Sequence, residues 1–366
     1  MKFPPIIVSL VAGSALIACG QEAPRPETSR GGDEAWARLP EPVTNNAVAA
    51  AVVNGRTIAY SFAGLHAGKT WQDVTSDAYA CDLAAQTCRV IDGLPDGIGR
   101  LASVAASVSD QIYVFGGYTV AEDGTEHSTP EVWIFDPVTE TYSRGADIPL
   151  PVDDTVALTW SDRYIYLVSG WHEDSNTDRV QVYDAQEDHW FDASPWQGSP
   201  VFGHAGGIVG NVMVVCGGVE IIPPATDGAR RTFEHYDECW SGEIDVDDPA
   251  TINWQPAPGH QGPARYRAAA AGSASDNTVY FSGGTDNPYN YDGEGYNGTP
   301  ARPLDTVMYP HDLGALSEDW AIQVGYATFG TMDHRGMVEW NGAYFTLGGM
   351  NGEREVISDV RAIRPN

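Results

Sequence analysis

Val114-Phe115-Gly116-Gly117 decides the fold: a short apolar run that closes on two glycines. The pattern, or a degenerate version of it, returns as Ser61-Phe62-Ala63-Gly64, Leu167-Val168-Ser169-Gly170, Val215-Cys216-Gly217-Gly218, Phe281-Ser282-Gly283-Gly284 and Thr346-Leu347-Gly348-Gly349. The final glycines lie 53, 53, 48, 66 and 65 residues apart. Recurrence at this interval marks a repeat architecture, in which similar units of short strands stack side by side. Downstream of most pairs, an aromatic-Asp or similar dipeptide leads through a turn to a second aromatic. Phe135-Asp136 leads to Tyr142, Tyr183-Asp184 to Trp190, Ile244-Asp245 to Trp254 and His311-Asp312 to Trp320. In the first unit Cys81-Asp82 and Cys88 hold these places.

These units resemble kelch repeats, and the resemblance covers nearly everything after residue 34. It implies an all-β fold, a six-bladed kelch-type β-propeller with four antiparallel strands per blade. The 332 residues from 35 to 366 give about 55 per blade, near the roughly 50 of a kelch repeat. The sixth unit runs out after its third strand, in the stretch Val356 to Ile363. Glu34-Ala35-Trp36-Ala37-Arg38-Leu39-Pro40 resembles the outer-strand endings around Trp190 and Trp254. The N-terminal strand around Trp36 is therefore expected to close the last blade, since an unpaired edge is a liability. No seventh Gly-pair strand is left over to build another blade.

Before the propeller, Lys2 precedes an apolar run from Ile6 to Ile17, the length of a secretory core and too short to span a bilayer. Leu16-Ile17-Ala18-Cys19 resembles the bacterial lipobox. The reading is a lipoprotein signal peptide over 1–18, lipidation of Cys19 and a flexible tether over 19–34; an ordinary signal peptide with a chance cysteine is the alternative. Gly20 in place of Asp points to a lipid-anchored protein of the outer membrane, after secretion across the inner one. Four cysteines then remain in an oxidising compartment, an even number that suggests pairing of Cys81 with Cys88 and Cys216 with Cys239, against four buried free thiols. A hydrophobic fraction of 42% excludes wholesale disorder, and 50 acidic against 20 basic residues exclude non-specific nucleic-acid binding.

In an up-and-down blade, the loop between strands two and three shares a face with the segment leading into the next blade. The leading segments carry Asn45 and Asn46, Arg100, Asp153 and Asp154, His204, Arg265 to Arg267 through Tyr266, and Asp333 to Arg335 through His334. They are expected to ring one pore mouth, with Trp171, Glu220, Arg230, Arg231, His235 and the Asp286 to Gly298 loop added by the longer connections. Arginine offers a planar fork for carboxylate, so Arg100, Arg267 and Arg335, with Asp153, Asp154, Tyr266, Tyr289 and His334, are read as binders of an acidic sugar. Bonds to neighbouring backbone or clamps between blades are the structural alternative for each. No His spacing suggests a metal and no motif suggests a cofactor.

Among secreted bacterial propellers the chain resembles the sialic acid mutarotase/epimerase group, on Ser194-Pro195-Trp196-Gln197-Gly198 entering the fourth blade. It resembles still more a set of uncharacterised bacterial kelch proteins loosely termed galactose-oxidase-like. The mutarotase likeness implies an acidic residue and an arginine after the fourth glycine strand, places taken here by Glu220 and Arg230 or Arg231. Val219 intervenes and the gap is longer than in that group. Glu220, His204 and Arg230 are accordingly the expected catalytic residues of sugar isomerisation. A non-catalytic scaffold for a small-molecule, oligosaccharide or envelope-protein ligand, working as a monomer, is the alternative.

Overall fold

The computed structural model describes residues 35–222, 232–257, 260, 262–296, 298–316, 320–324 and 330–365. Among them are six four-stranded antiparallel sheets arranged as propeller blades. Their first strands are Ala47–Val53, Val104–Val108, Val156–Trp160, Ala205–Val209, Ala269–Ser273 and Val338–Trp340. The first five of these, with Arg335, Gly336 and Met337 leading into the sixth, line an axial channel of about 200 Å³. The channel wall is built of small residues because six strands converge there. A Cβ on Gly272 would lie 2.0 Å from the Ile208 carbonyl, and one on Gly207 2.7 Å from the Gly272 nitrogen, so the fourth and fifth blades touch backbone to backbone. The apolar second strands and outer aromatics fill the wedges between blades. Phe135 meets Phe62 and Tyr142 at 5.5 and 4.9 Å, while Tyr183 meets Phe115 and Trp190 at 5.8 and 5.0 Å.

The Gly pairs do more than turn the chain out of each second strand. The N–H of the second glycine donates to the carbonyl of the segment leading into the next blade: Gly64 to Arg100, Gly117 to Val152, Gly170 to Val201, Gly218 to Arg265, Gly284 to Thr331 and Gly349 to Val43. The last bond joins the sixth blade to the first, and the ring closes. A Cβ on Gly117 would stand 2.3 Å from Ser103 Oγ, and one on Gly116 2.4 Å from the Val152 carbonyl. Both glycines have positive φ, +53° and +90°, which only glycine adopts without strain. Ala63 and Ser169 hold the first place at φ +55° and +56°. Ser169 Oγ donates to the Val201 carbonyl at 2.9 Å.

The N-terminal segment completes the sixth blade. Ala37–Arg38 pairs with Val360 and Asp359 on the outer side of Asp359–Ile363. Trp36 packs against Trp340 and Phe345 at ring distances of 6.1 and 5.7 Å, and its Nε1 donates to the Leu83 carbonyl of the first blade at 2.9 Å. Both disulfides form between directly paired residues of neighbouring strands, Cys81 with Cys88 and Cys216 with Cys239. The signal segment, Cys19 and the tether lie outside the described residues.

The clasp predicts a measurable stability term. Trp36→Ala removes packing on two blades and one partly buried hydrogen bond, and should cost about 3 kcal/mol in equilibrium urea unfolding. Deleting residues 35–39 should also leave an open edge on the sixth blade, seen as concentration-dependent association in light scattering.

Candidate functional site

A second ring of backbone hydrogen bonds surrounds the channel mouth. Ala102 N–H donates to Asn45 O, Asp154 to Ala102, Gly203 to Asp154, Arg267 to Gly203, His334 to Arg267, and Asn45 to Asp333. Asn45, Ala102, Asp154, Gly203, Arg267 and Asp333 all have φ between +51° and +71°. Five of the six carry a side chain in a conformation that costs about 1 kcal/mol or more. The sequence reading of this ring was offset in two blades, where Ala102 and Gly203 stand in place of Arg100 and His204.

The ring's polar side chains converge on one another. Arg267 places one Nη 2.5 Å from Asp154 Oδ2 and the other 3.0 Å from Asp333 Oδ1. Arg335 Nη2 lies 2.7 Å from Asp154 Oδ1 and donates to Asn45 Oδ1 at 2.7 Å. Thr44 Oγ1 donates to Asp333 Oδ2 at 2.8 Å. The Arg267 guanidinium lies over the rings of Tyr266 and Tyr289, at 4.8 and 5.3 Å. The result is a buried plug of two arginines and two aspartates. Burial alone would raise the Asp333 carboxyl, but Arg267, Arg335 and the bond from Thr44 hold it below the ordinary value. Burial likewise opposes the Arg267 charge, yet Asp154, Tyr266 and Asp333 outweigh it and keep the guanidinium firmly protonated.

This geometry corrects the expected roles of the arginines. Arg267 and Arg335 present no open fork to a ligand carboxylate, because the chain's own aspartates occupy them. Arg100 is away from the mouth, buried against Asp96 and Glu131 beside the first and second blades. Tyr266 and Tyr289 are fully buried, with ring centroids 5.3 Å apart, and support the plug rather than cover a sugar. His204 lines the channel, bonded through Nε2 to the Val168 carbonyl at 2.8 Å. His334 bonds Thr331 Oγ1 at 2.8 Å. Burial lowers both imidazoles to about 4, so neither is a proton donor near neutral pH. Glu220 sits on the hairpin strand Val219–Ile222 and accepts the Tyr236 hydroxyl at 2.8 Å. It lines neither the channel nor the cavity described next, so Glu220 and His204 do not form one acid–base pair. Arg230 and Arg231 lie outside the described residues.

Beside the plug, on the same face, opens a cavity of about 150 Å³. Its polar floor is Asp153, Asp154, Ser128 and Arg267; Tyr118, Trp171, Phe202, Phe233, Tyr291 and Tyr296 supply aromatic walls; Glu126 and Glu173 stand at its sides. Three short hairpins build most of the walls: Tyr118–Val120 with Glu126–Ser128, Trp171–His172 with Ser175–Asn176, and Val219–Ile222 with Thr232–His235. The fifth-blade loop supplies the rest by crossing the mouth. Tyr289 packs in the plug, and Tyr291 reaches the cluster of Leu65, Leu101 and Tyr118 from the first two blades. Lys69 anchors the neighbouring Arg354 carbonyl at 2.7 Å, and Arg354 lies 3.6 Å from Glu294 of that loop. Trp171 and the fifth-blade loop were legible as loop features of this face. Tyr118, Glu126, Ser128 and Glu173 were not, because only the Gly124 turn between two short runs hinted at an extra hairpin.

Asp153 is the cavity's distinctive group. It is 2% exposed, accepts the Ser128 hydroxyl on Oδ2 at 2.6 Å, and has no arginine of its own among the described residues. Burial, and then the neighbouring Asp154 charge, push its carboxyl well above the ordinary range. A carboxyl raised in the folded state supports stability below its unfolded value, near pH 4, and loses that support as pH rises through the folded value. Asp153→Asn keeps the shape and the acceptor for Ser128 without a charge to bury. It should therefore raise the melting temperature at pH 7 by on the order of a few degrees, with the difference vanishing near pH 3.5 in a pH series of thermal melts.

Comparison with known proteins agrees with this architecture. Residues 47–284 match the KLHDC2/KLHL20/DRC7 Kelch-repeats domain. Kelch-like protein 15 of Gallus gallus is 31% identical over 154 residues, covering 38% of this chain and 30% of that protein. Kelch-like protein 23 of Homo sapiens is 27% identical over 131 residues, covering 35% of this chain and 22% of that protein. The chain thus spans less than a third of the length of these curated relatives. The solved "Structure of YjhT" superposes with a TM-score of 0.68 at 16% identity, covering 90% of this chain and 97% of that one, which shows a shared fold. With the family match spanning most of six closed blades, the chain belongs to the kelch-repeat proteins.

Proposed function

We propose that this propeller binds a carbohydrate in the cavity beside the plug, with a neutral or amino-bearing sugar favoured over an acidic one. The observation that carries the reading is the cavity's composition. Aromatic walls stack on the apolar faces of a sugar ring, while carboxyl, hydroxyl and amide groups at Asp153, Ser128, Glu173 and Asn290 answer its hydroxyls. A uronic or sialic carboxylate would meet Glu126, Glu173 and the two floor aspartates, with Arg267 already paired to Asp154 and Asp333. The mutarotase-like Ser194 to Gly198 stretch supports a sugar as the class of ligand. The lipobox at Cys19 adds the proposal that the propeller works tethered in the cell envelope.

Thermal-shift screening against matched neutral and acidic monosaccharides and short oligosaccharides tests this. A ligand at 100 times its dissociation constant stabilises by roughly 2.7 kcal/mol, a clear shift. Neutral sugars should stabilise and their uronic counterparts should not. Trp171→Ala, which removes one wall and leaves the plug intact, should weaken binding about tenfold. A uronate that binds as tightly as its neutral counterpart would overturn the charge preference; no shift with any sugar would overturn the carbohydrate reading.

A further inference from the structure

A floor carboxyl with a free oxygen identifies a ligand feature of this cavity. Among the described residues, Asp153, Asp154 and Glu173 line it together with Arg267. Both Nη atoms of Arg267 are engaged by Asp154 and Asp333. Glu173 has His127 at 3.3 Å, on the solvent side. Asp153 Oδ1 has no protein hydrogen bond among the described residues, although the residue is 98% buried from solvent by its 2% exposure and lines the cavity. Carboxylates framed by aromatic faces form the environment that attracts an organic cation, through the ring quadrupoles and charge-assisted hydrogen bonds.

We propose that the ligand carries a primary ammonium group that docks against Asp153 Oδ1, with Glu173 adding its field and Trp171 and Tyr291 flanking it. This rests on the carbohydrate reading, which it narrows to sugars with a free amine. A partly desolvated ammonium supplies the positive charge that the fold withholds from Asp153. Acetylating the amine removes that charge and replaces a compact donor with a bulky amide.

Binding should also release a proton. Asp153 faces Asp154, Glu126, Arg267 and the Ser128 hydroxyl, and burial with the Asp154 charge favours its protonated form in the free protein. A bound ammonium reverses that preference. Affinity for the amine should therefore rise with pH through the Asp153 titration, until the amine itself loses its proton.

Isothermal titration calorimetry of the full propeller with glucosamine, N-acetylglucosamine, glucose and cyclohexylamine, in two buffers of different ionisation enthalpy, tests the proposal. Glucosamine should bind at least tenfold more tightly than N-acetylglucosamine or glucose, with a buffer-dependent enthalpy that reports proton release. Asp153→Asn should abolish the advantage of the amine over glucose measured on the same variant, and Glu173→Gln should reduce it. Equal affinities for the three sugars, or an amine advantage that survives Asp153→Asn, would overturn the ammonium site and leave the carbohydrate reading standing. Binding of cyclohexylamine without any sugar would keep the ammonium site and overturn the carbohydrate reading. Silence from all four would overturn both.

Discussion

Two closed circles of backbone hydrogen bonds are the constraint on which the rest of this molecule depends. One runs from the second glycine of each blade to the segment leading into the next; the other links six left-handed residues around the channel mouth. A circle differs from a stack in having no free end, so no blade can shift without straining its neighbours. The cost falls on particular residues. Arg267, Asp154 and Asp333 hold φ values of +53°, +51° and +71° that an L-residue avoids, and what holds them there is the ring together with the ion pairs above it.

Those ion pairs couple closure to the site. Two arginines and two aspartates brought out of water lose most of their mutual attraction to desolvation, so the plug is a weak source of net stability. Its consequence is specificity of arrangement. Removing one partner would strand a buried charge at a cost of roughly 3–5 kcal/mol, so blades 1, 3, 5 and 6 must meet in one geometry for Asn45, Asp154, Arg267 and Asp333 to be satisfied. That fixed arrangement also positions Asp153, the residue before Asp154, with its side chain on the cavity side and no cation paired with it among the described residues.

Most of the fold was legible because closure leaves a periodic trace. The Gly pairs mark each circle-forming turn, the aromatics mark each wedge, and Trp36 stood out as an outer-strand residue without a blade. The cysteine pairs were legible for the same reason, since strand neighbours can be counted along a repeat. The site was legible only in location. Asp153, Asp154, Arg267 and Asp333 were placed at the mouth correctly, but their partners were not, because an arginine fork available to a ligand and one occupied by a neighbouring blade's aspartate have identical sequences. Arg100 and His204 illustrate a finer limit: a shift of one or two positions moved each from the mouth to a neighbouring wall.

The division of labour between ring and hairpins explains why Arg267 and Arg335, at the mouth of an acidic chain, are paired with its own aspartates. With formal charge −30, an unpaired buried arginine would draw the nearest carboxylate, and the propeller's convergence brings two within reach from opposite blades. The arginines thus serve closure. Recognition passes to the segments that closure does not use, namely the three extra hairpins and the fifth-blade loop, whose side chains are bound by no ring. Tyr118, Glu126, Glu173 and Tyr291 can change without breaking either circle, whereas Arg267 and Asp154 cannot. The cavity's walls are therefore set by residues free to vary around a floor that is not, and the floor carboxyl left outside the ion pairs is that of Asp153.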